Sequence, residues 1–252
     1  MLDLQKASIS KRISAFLFDG ILFLILVVGF AFLLSTCFGY DKYNQTLRDA
    51  YAIYESKYNI VFDISEEQYY SMSEEDLGNY NNAYTELIND KEAMYAYNMV
   101  LNLTLLIATL SILFSLSVLE FIIPIRLGNG QTLGKKIFSI GVMHTDGIKI
   151  TPILLFIRVF LGKFTLETMI PVLIIFMIFF NMTGFIGTII LGLILLLQFI
   201  LIIVTRTNSL LHDILAKTVV IDMASQMIFD NAGELLAYKK KVHAEQVARQ
   251  TY

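Results

Sequence analysis

An all-α integral membrane protein is the fold class this sequence predicts, and three observations carry it. Hydrophobic residues make up 56% of the 252 and charged residues only 16%, with a mean hydropathy of +0.64; soluble domains hold about a quarter charged residues. Apolar runs long enough to cross a bilayer, about 20 residues each, begin near residues 13, 98 and 169. The charge is also divided. Segment 39–97 has Lys42, Arg48, Lys57 and Lys91 as its only basic residues against a dozen acidic ones, while the other fifteen Lys and Arg lie in the N-terminus, in 125–163 and in the C-terminal tail.

Residues 1–38 read as the N-terminus and first transmembrane helix. Their apolar run, 13–38, exceeds the core of a secretory leader, about 7–15 residues, and contains Asp19, so it reads as a retained helix and not as a leader cleaved before Cys37. Lys and Arg gather on the inner side of a membrane. That rule places both termini in the cytoplasm and 39–97 outside, in a multi-pass cell-membrane protein. The outer segment holds eleven of the thirteen tyrosines, too aromatic for a disordered acidic tail. Leu47, Tyr51, Tyr54 and Tyr58 recur at helical spacing, as do Tyr80, Tyr84, Leu87 and Lys91. "SEEQ" from Ser65 to Gln68 has the capping-box pattern, and Ser73 ahead of Glu74, Glu75 and Asp76 is a second helix start. Together these predict an extracellular helical hairpin whose second helix continues into the second span, 98–124.

Residues 125–151 read as a cytoplasmic loop and β-hairpin, with Asp146-Gly147 as the turn between two apolar-rich runs. "TVVID" (Thr218 to Asp222) is another strand able to join them in a small sheet. Residues 152–205 hold the third and fourth transmembrane segments. The run 169–204 is too long for one untilted span, and "NMTGFIG" (Asn181 to Gly187) breaks it. The third helix is expected over about 153–181, with a kink at Pro171, and the fourth over about 186–205. Two full spans and a short re-entrant hairpin both leave the termini on one side, so both stay open here. Residues 206–252 carry a His-Asp pair, the strand and a basic amphipathic tail. That tail has Leu235, Tyr238 and Val242 on one side, and Lys239, Lys240 and Lys241 suited to anionic headgroups or to plain solvation.

Several functions are disfavoured. A lone cysteine forms no internal disulfide or cysteine metal cluster, and His144, His212 and His243 lack ligand spacing. No metal or cofactor is expected. Basic residues are not interleaved with aromatics, which argues against nucleic acid. "GNGQTLGKK" fails the phosphate-loop pattern, because Asn129 stands where its first Gly belongs and Lys136 follows Lys135. No catalytic nucleophile emerges, so an enzyme is not expected.

Asp19 is the residue that needs a reason. An ionised aspartate at the centre of a spanning helix costs roughly 2.5–3.5 kcal/mol, so it faces a bundle interior, an aqueous cavity or a partner. Arg12, two turns earlier on the same face, is placed to snorkel to the headgroups. On the second span Asn102, Thr109, Ser117 and Glu120 fall within about an 80° arc at ~100° per residue, as an aqueous lining or as interhelical hydrogen bonds. Arg158 and Lys163, early in the third helix, are placed to neutralise a carboxylate or grip a phosphate.

These residues together resemble the RDD family of membrane proteins, named for one arginine and two aspartates. Arg12 and Asp19 match the first two. "GQTLGKKIFSIGVMHTDG", with Thr132, Gly134, Lys135, Asp146 and Gly147, resembles the family's cytoplasmic segment, and "HDILAKTVVI", with His212 and Asp213, its closing motif. Arg158 is taken with them as a motif residue. The second aspartate is then Asp213, with Asp146 the other choice. The resemblance covers about 8–38 and 98–222, and the 39–97 segment is longer than the family's usual external loop.

What the resemblance implies is a bacterial transporter of a cation or small solute, of the sodium–proton exchange type. Asp19 would exchange H+ for Na+, the Asn102-to-Glu120 stripe would supply oxygen ligands, and Arg158 would set the local field. A chain of this size is expected to work in the lipid bilayer as a homo-oligomer or with a membrane-protein partner. The alternative is a non-catalytic scaffold or sensor that binds a partner through its outer hairpin.

Overall fold

The structure, a computed structural model, describes residues 5–179 and 181–250. Phe180, inside the expected third helix, and the last two residues of the tail lie outside the described residues. Among the described residues, four helices are long and apolar enough to cross a membrane: Ile9–Phe38, Lys91–Leu127, Pro152–Phe179 and Gly184–Val204. Each of the last two is long enough to cross the ~30 Å hydrocarbon core on its own. Residues 27–112 form one compact unit, and residues 1–26 with 113–252 form a second.

The 27–112 unit is built on tyrosine and alanine. Helix α1 (Ile9–Phe38) ends at Gly39, whose left-handed backbone (φ 65°) lets α2 (Tyr40–Tyr58) start afresh. Ser65 and Gln68 form the expected capping box on the short α3 (Glu66–Tyr70), and Ser73 caps α4 (Glu74–Asn89). Helices α2 and α4 pack through Ala50 and Leu87, with Tyr51, Tyr54 and Phe62 closing over them. The Phe62 ring stacks edge-to-face with Tyr51 at 5.4 Å and with Tyr80 at 5.7 Å, the arrangement that aromatic quadrupoles favour.

One expectation is corrected here: α4 does not run on into the second span. It stops at Asn89, and Asp90 starts α5 (Lys91–Leu116) by accepting the N–H groups of Glu92 at 2.9 Å and Ala93 at 3.2 Å. An Asx cap beats helix continuation because it satisfies N–H groups that a new helix start leaves open. Tyr54 adds a hydroxyl bond to Asp90 at 3.1 Å. The Ala93 N–H, working against partial burial and aided by Tyr54 and Glu92, holds the Asp90 carboxyl below its ordinary value. Asp90→Ala is therefore expected to cost about 1 kcal/mol at pH 7. A depressed folded pKa gives stability that is complete above about pH 4 and lost as pH falls through the folded value. Melting curves of wild type and variant should accordingly converge in acid; a constant gap down to pH 2.5 would refute the cap's charge.

In the second unit a two-stranded antiparallel sheet is the anchor. Strand β1 (Ile140–His144) pairs with β2 (Thr218–Asp222), with Val142 opposite Val220. The Asp146-Gly147 turn forms, with the His144 N–H donating to Ile148 O at 2.9 Å, but its second arm contributes a single bridge to β1, Met143 to Lys149. Strand β2 pairs along the opposite edge of β1, so that Met143 is bridged to Val219 on one side and Lys149 on the other, and Val219, Val220 and Ile221 are buried there. The N-terminal residues add to β2's other edge through Ala7 N–H to Val220 O at 3.2 Å.

Beside the sheet lie the five-residue α7 (Leu133–Ile137) and α11 (Leu211–Leu215), while α6 (Ile123–Leu127) is the last turn of the second spanning helix. The tail helix α12 (Ala232–Gln250) buries Leu235, and its Tyr238 stacks on Phe229 at 5.2 Å. The third spanning helix is composite: α8 (Pro152–Phe156), a π-helical stretch Ile157–Met169, and α9 (Ile170–Phe179). After the break comes α10 (Gly184–Val204), and α5 likewise passes into a π-helical stretch, Ser117–Ile122.

Candidate functional site

Both π-helical stretches carry charge, and their wider turns decide where it points. The Ile170 N–H reaches back five residues to Thr165 O, and Ile123 likewise to Val118 O. At 3.6 residues per turn Arg158 and Lys163 would stand about 140° apart. The i→i+5 turn brings Arg158, Lys163 and Glu167 round to one side, where they meet α11, Thr218 on β2 and Glu120.

Arg158 is 2% exposed and fully engaged. One guanidinium nitrogen pairs with Asp213 at short range and donates to the Thr218 hydroxyl at 2.7 Å; the other donates to His212 Nε2 at 3.0 Å. Since Nε2 accepts there, Nδ1 carries the imidazole proton, and it donates to Glu167 Oε2 at 2.7 Å. The His212 backbone N–H donates to the other Glu167 oxygen at 2.9 Å. Burial, chiefly, keeps the His212 imidazole below its ordinary pKa, so it is neutral at pH 7. For Asp213 burial works the other way, but Arg158, then His212 and Arg12, outweigh it and hold the carboxyl at about 2.

Gly162 makes this contact achievable. A Cβ there would lie 2.5 Å from the His212 Cβ and 2.7 Å from its Cα.

Asp19 finds its reason in α7. Its carboxylate accepts the Thr132 hydroxyl at short range and the Gly134 N–H at 2.8 Å. Thr132 is also the cap of α7, accepting Lys135 N–H at 3.3 Å. Hydrogen bonds to charged groups contribute about 1.5–3 kcal/mol each, so two offset the insertion cost of the aspartate. Gly134 lets α7 approach: a Cβ there would lie 2.5 Å from Ala15 O and 2.9 Å from the Asp19 Cγ. The segment "GQTLG" is thus a docking element for the aspartate of the first helix.

Glu120 is shared by two ammonium groups, Lys163 on one oxygen at short range and Lys135 on the other at 3.3 Å. Burial first, offset by Glu120 and Asp19 and reinforced by Lys163 and Arg158, lowers the Lys135 pKa to about 8. Arg12 does not snorkel to headgroups. It donates to the carbonyls of Asn208 at 2.6 Å, Val220 at 2.7 Å and Thr207 at 3.2 Å, tying α1 to the chain on either side of α11.

Charges of both signs are therefore concentrated in one place and balanced: Arg12, Lys135, Arg158 and Lys163 against Asp19, Glu120, Glu167 and Asp213. A cavity of about 360 Å³ opens beside them, lined by Asp19, Glu120, Lys163, Glu167 and His212 and by apolar side chains that include Phe16, Phe23 and Leu119. A smaller chamber of about 110 Å³ lies among Arg12, Lys135, Arg158 and Asp213.

A family model described as the RDD family matches residues 6–217. The chain belongs to the RDD family. No curated protein and no solved structure matches it. In this family member Arg12, Asp19, Thr132, Gly134, Lys135, Arg158, His212 and Asp213 all meet in or beside the charge cluster. Asp146 and Gly147 do not; they form the turn after β1, where the exposed Asp146 donates its N–H to His144 Nδ1 at 3.2 Å. Of the two aspartates that the resemblance offers beside Asp19, Asp213 is the buried one.

The stripe on the second span divides. Glu120 enters the cluster, and Ser117 turns its hydroxyl back to Leu113 O at 2.6 Å. Asn102 and Thr109, in the 27–112 unit, are exposed. From Asn102 to Ser117 the helix is regular, but between Ser117 and Glu120 the arc drawn at 100° per residue does not hold, because a π-helical turn resets the phase. Sequence reasoning missed Glu167. Its only signal was an acidic residue within a spanning segment, four residues after Lys163, and that spacing alone reads as an ordinary helical ion pair.

Proposed function

We propose that the protein exchanges a cation for protons across the membrane through the 360 Å³ cavity, without covalent chemistry. The observation that supports this reading most is the state of two cavity-lining carboxylates. Asp19 is bonded by a hydroxyl and a backbone N–H, and Glu167 by a neutral imidazole, a backbone N–H and the Gln198 amide. Their hydrogen-bond donors are neutral, whereas Glu120 holds two ammonium groups. A cation entering the cavity meets negative charge that no directly bonded side-chain cation balances, inside a segment where such charge is costly. Glu167 takes the proton when the cation leaves, and Asp19 positions α7 while contributing charge. In this reading the termini are cytoplasmic, the membrane is the cell membrane, and the working unit is a homo-oligomer or a complex with another membrane protein.

The reading is tested in proteoliposomes with an internal pH dye during imposed gradients of sodium, lithium, potassium and a quaternary ammonium ion. Cation-dependent proton movement is expected for wild type. Glu167→Gln is expected to lower it at least tenfold at equal insertion, and Asp19→Asn to lower it similarly. Undiminished flux in Glu167→Gln would remove Glu167 from the mechanism.

A second reading has one observation in its favour. In the 27–112 unit Leu47, Tyr51, Tyr84, Leu87 and Tyr97 line a groove of about 280 Å³, a surface suited to a scaffold or sensor that binds a partner. Under that reading, shortening 39–97 abolishes function while Glu167→Gln is silent.

A further inference from the structure

The cavity also carries information about which kind of cation it admits. This step rests on the exchange reading above. A hard metal cation is held by a shell of oxygens on all sides, whereas apolar side chains make up much of the walls here. Phe16, Phe23, Leu116 and Leu119 line the cavity together with the polar side chains of Asp19, Glu120, Glu167 and Thr168. The volume, about 360 Å³, falls in the range of pockets for small organic molecules, roughly 300–1,000 Å³.

Charge is distributed in the same sense. The groups lining this cavity are Asp19, Glu120 and Glu167 against Lys163 and a neutral His212, a surplus of negative charge. The smaller chamber shares Asp19, Glu120, Lys163 and His212 with it and adds Arg12, Lys135 and Arg158 with Asp213. Aromatic faces beside carboxylates also attract an organic cation, whose charge is spread and weakly hydrated.

We infer that the cavity binds a small amphipathic organic cation, an ammonium group carrying an apolar body, and not a bare alkali-metal ion. The charged end lies between Asp19 and Glu167 and the apolar body against Phe16, Phe23, Leu116 and Leu119. As the cation enters, the proton held by Glu167 leaves to bulk water, so that charge balances in the site.

Gly20 supplies a clean test. It lines the cavity, and a Cβ built on it meets nothing within 4 Å. Gly20→Leu therefore fills the cavity while every charged group stays in place. The probe is benzyltrimethylammonium, with 2-phenylethanol as a neutral control of related shape. Binding is measured calorimetrically on the full-length protein in nanodiscs, with empty nanodiscs subtracted, and proton movement is measured in the proteoliposomes described above.

Saturable binding of the cation, at least tenfold weaker in Gly20→Leu and at least tenfold weaker for the neutral control, supports the inference. If that binding is seen without cation-driven proton movement, the exchange reading fails and the site stands. If sodium or lithium drives proton movement equally in wild type and Gly20→Leu and benzyltrimethylammonium does not bind, the inference is overturned and exchange stands. Absence of both binding and flux overturns both.

Discussion

Replacing Arg158 by Met is expected to cost about 3–5 kcal/mol, the penalty for leaving a buried charge without its partner. It is the largest single-residue effect anticipated for this protein. Arg158 and Asp213 are each 2% exposed, and the guanidinium also holds Thr218 on β2 and His212 on α11. Its loss strands the Asp213 carboxylate and frees two elements together. Arg158→Lys should recover little, because an ammonium does not present the planar fork that reaches Asp213, Thr218 and His212 at once. Arg158→Met combined with Asp213→Leu should be more stable than Arg158→Met alone, since removing both charges removes the desolvation penalty. Thermal unfolding of the detergent-solubilised single and double variants measures the coupling. Additive losses would show that the two residues act separately. Asp213 has a depressed pKa, so the pair's contribution is complete above about pH 4 and is lost as pH falls towards about 2.

Gly134→Ala should give the second-largest effect, about 1–3 kcal/mol from overpacking alone. The new methyl would lie 2.5 Å from Ala15 O and 2.9 Å from Asp19 Cγ, so α7 must withdraw from α1 and the 2.8 Å bond from Gly134 N–H to Asp19 must lengthen. Gly20→Ala, on the same helix as Asp19 but with open space around it, should change stability by much less. Comparing the two melting temperatures separates a steric requirement at Gly134 from a general cost of altering small residues. If Asp19 is kept for this docking, Gly134→Ala in an Asp19→Asn background should destabilise less than in wild type, because part of the contact is already gone.

The local signals in this sequence were good guides to local structure. Ser65 and Gln68 close their capping box, Asp146-Gly147 makes its turn, and Leu235 and Tyr238 share one side of the tail helix. Each depends on residues a few positions apart. Where a choice lay between two competing local outcomes, the chain was harder to read: Asp90 could continue a helix or cap a new one, and its carboxylate did the second. The stripe from Asn102 to Glu120 failed for a related reason. Equal rotation per residue was assumed through Ser117–Ile122, where the helix widens.

By itself, the sequence determined that the chain crosses a membrane and where three of its four spanning helices begin and end to within a few residues, and it carried the resemblance to the family that the chain belongs to. Hydropathy, charge balance and capping are properties of the nearest neighbours along the chain, so they can be read there. Only the tertiary structure decided what the buried charges do. Asp19 meets Thr132 and Gly134, Arg158 meets Asp213 and His212, and Glu167 joins them, across 45 to more than a hundred residues of chain. A charge within a spanning helix announces that it needs partners. Which neutral or charged groups satisfy it depends on distances of a few ångströms between segments, and in this chain two π-helical stretches and two close-packed glycines set those distances.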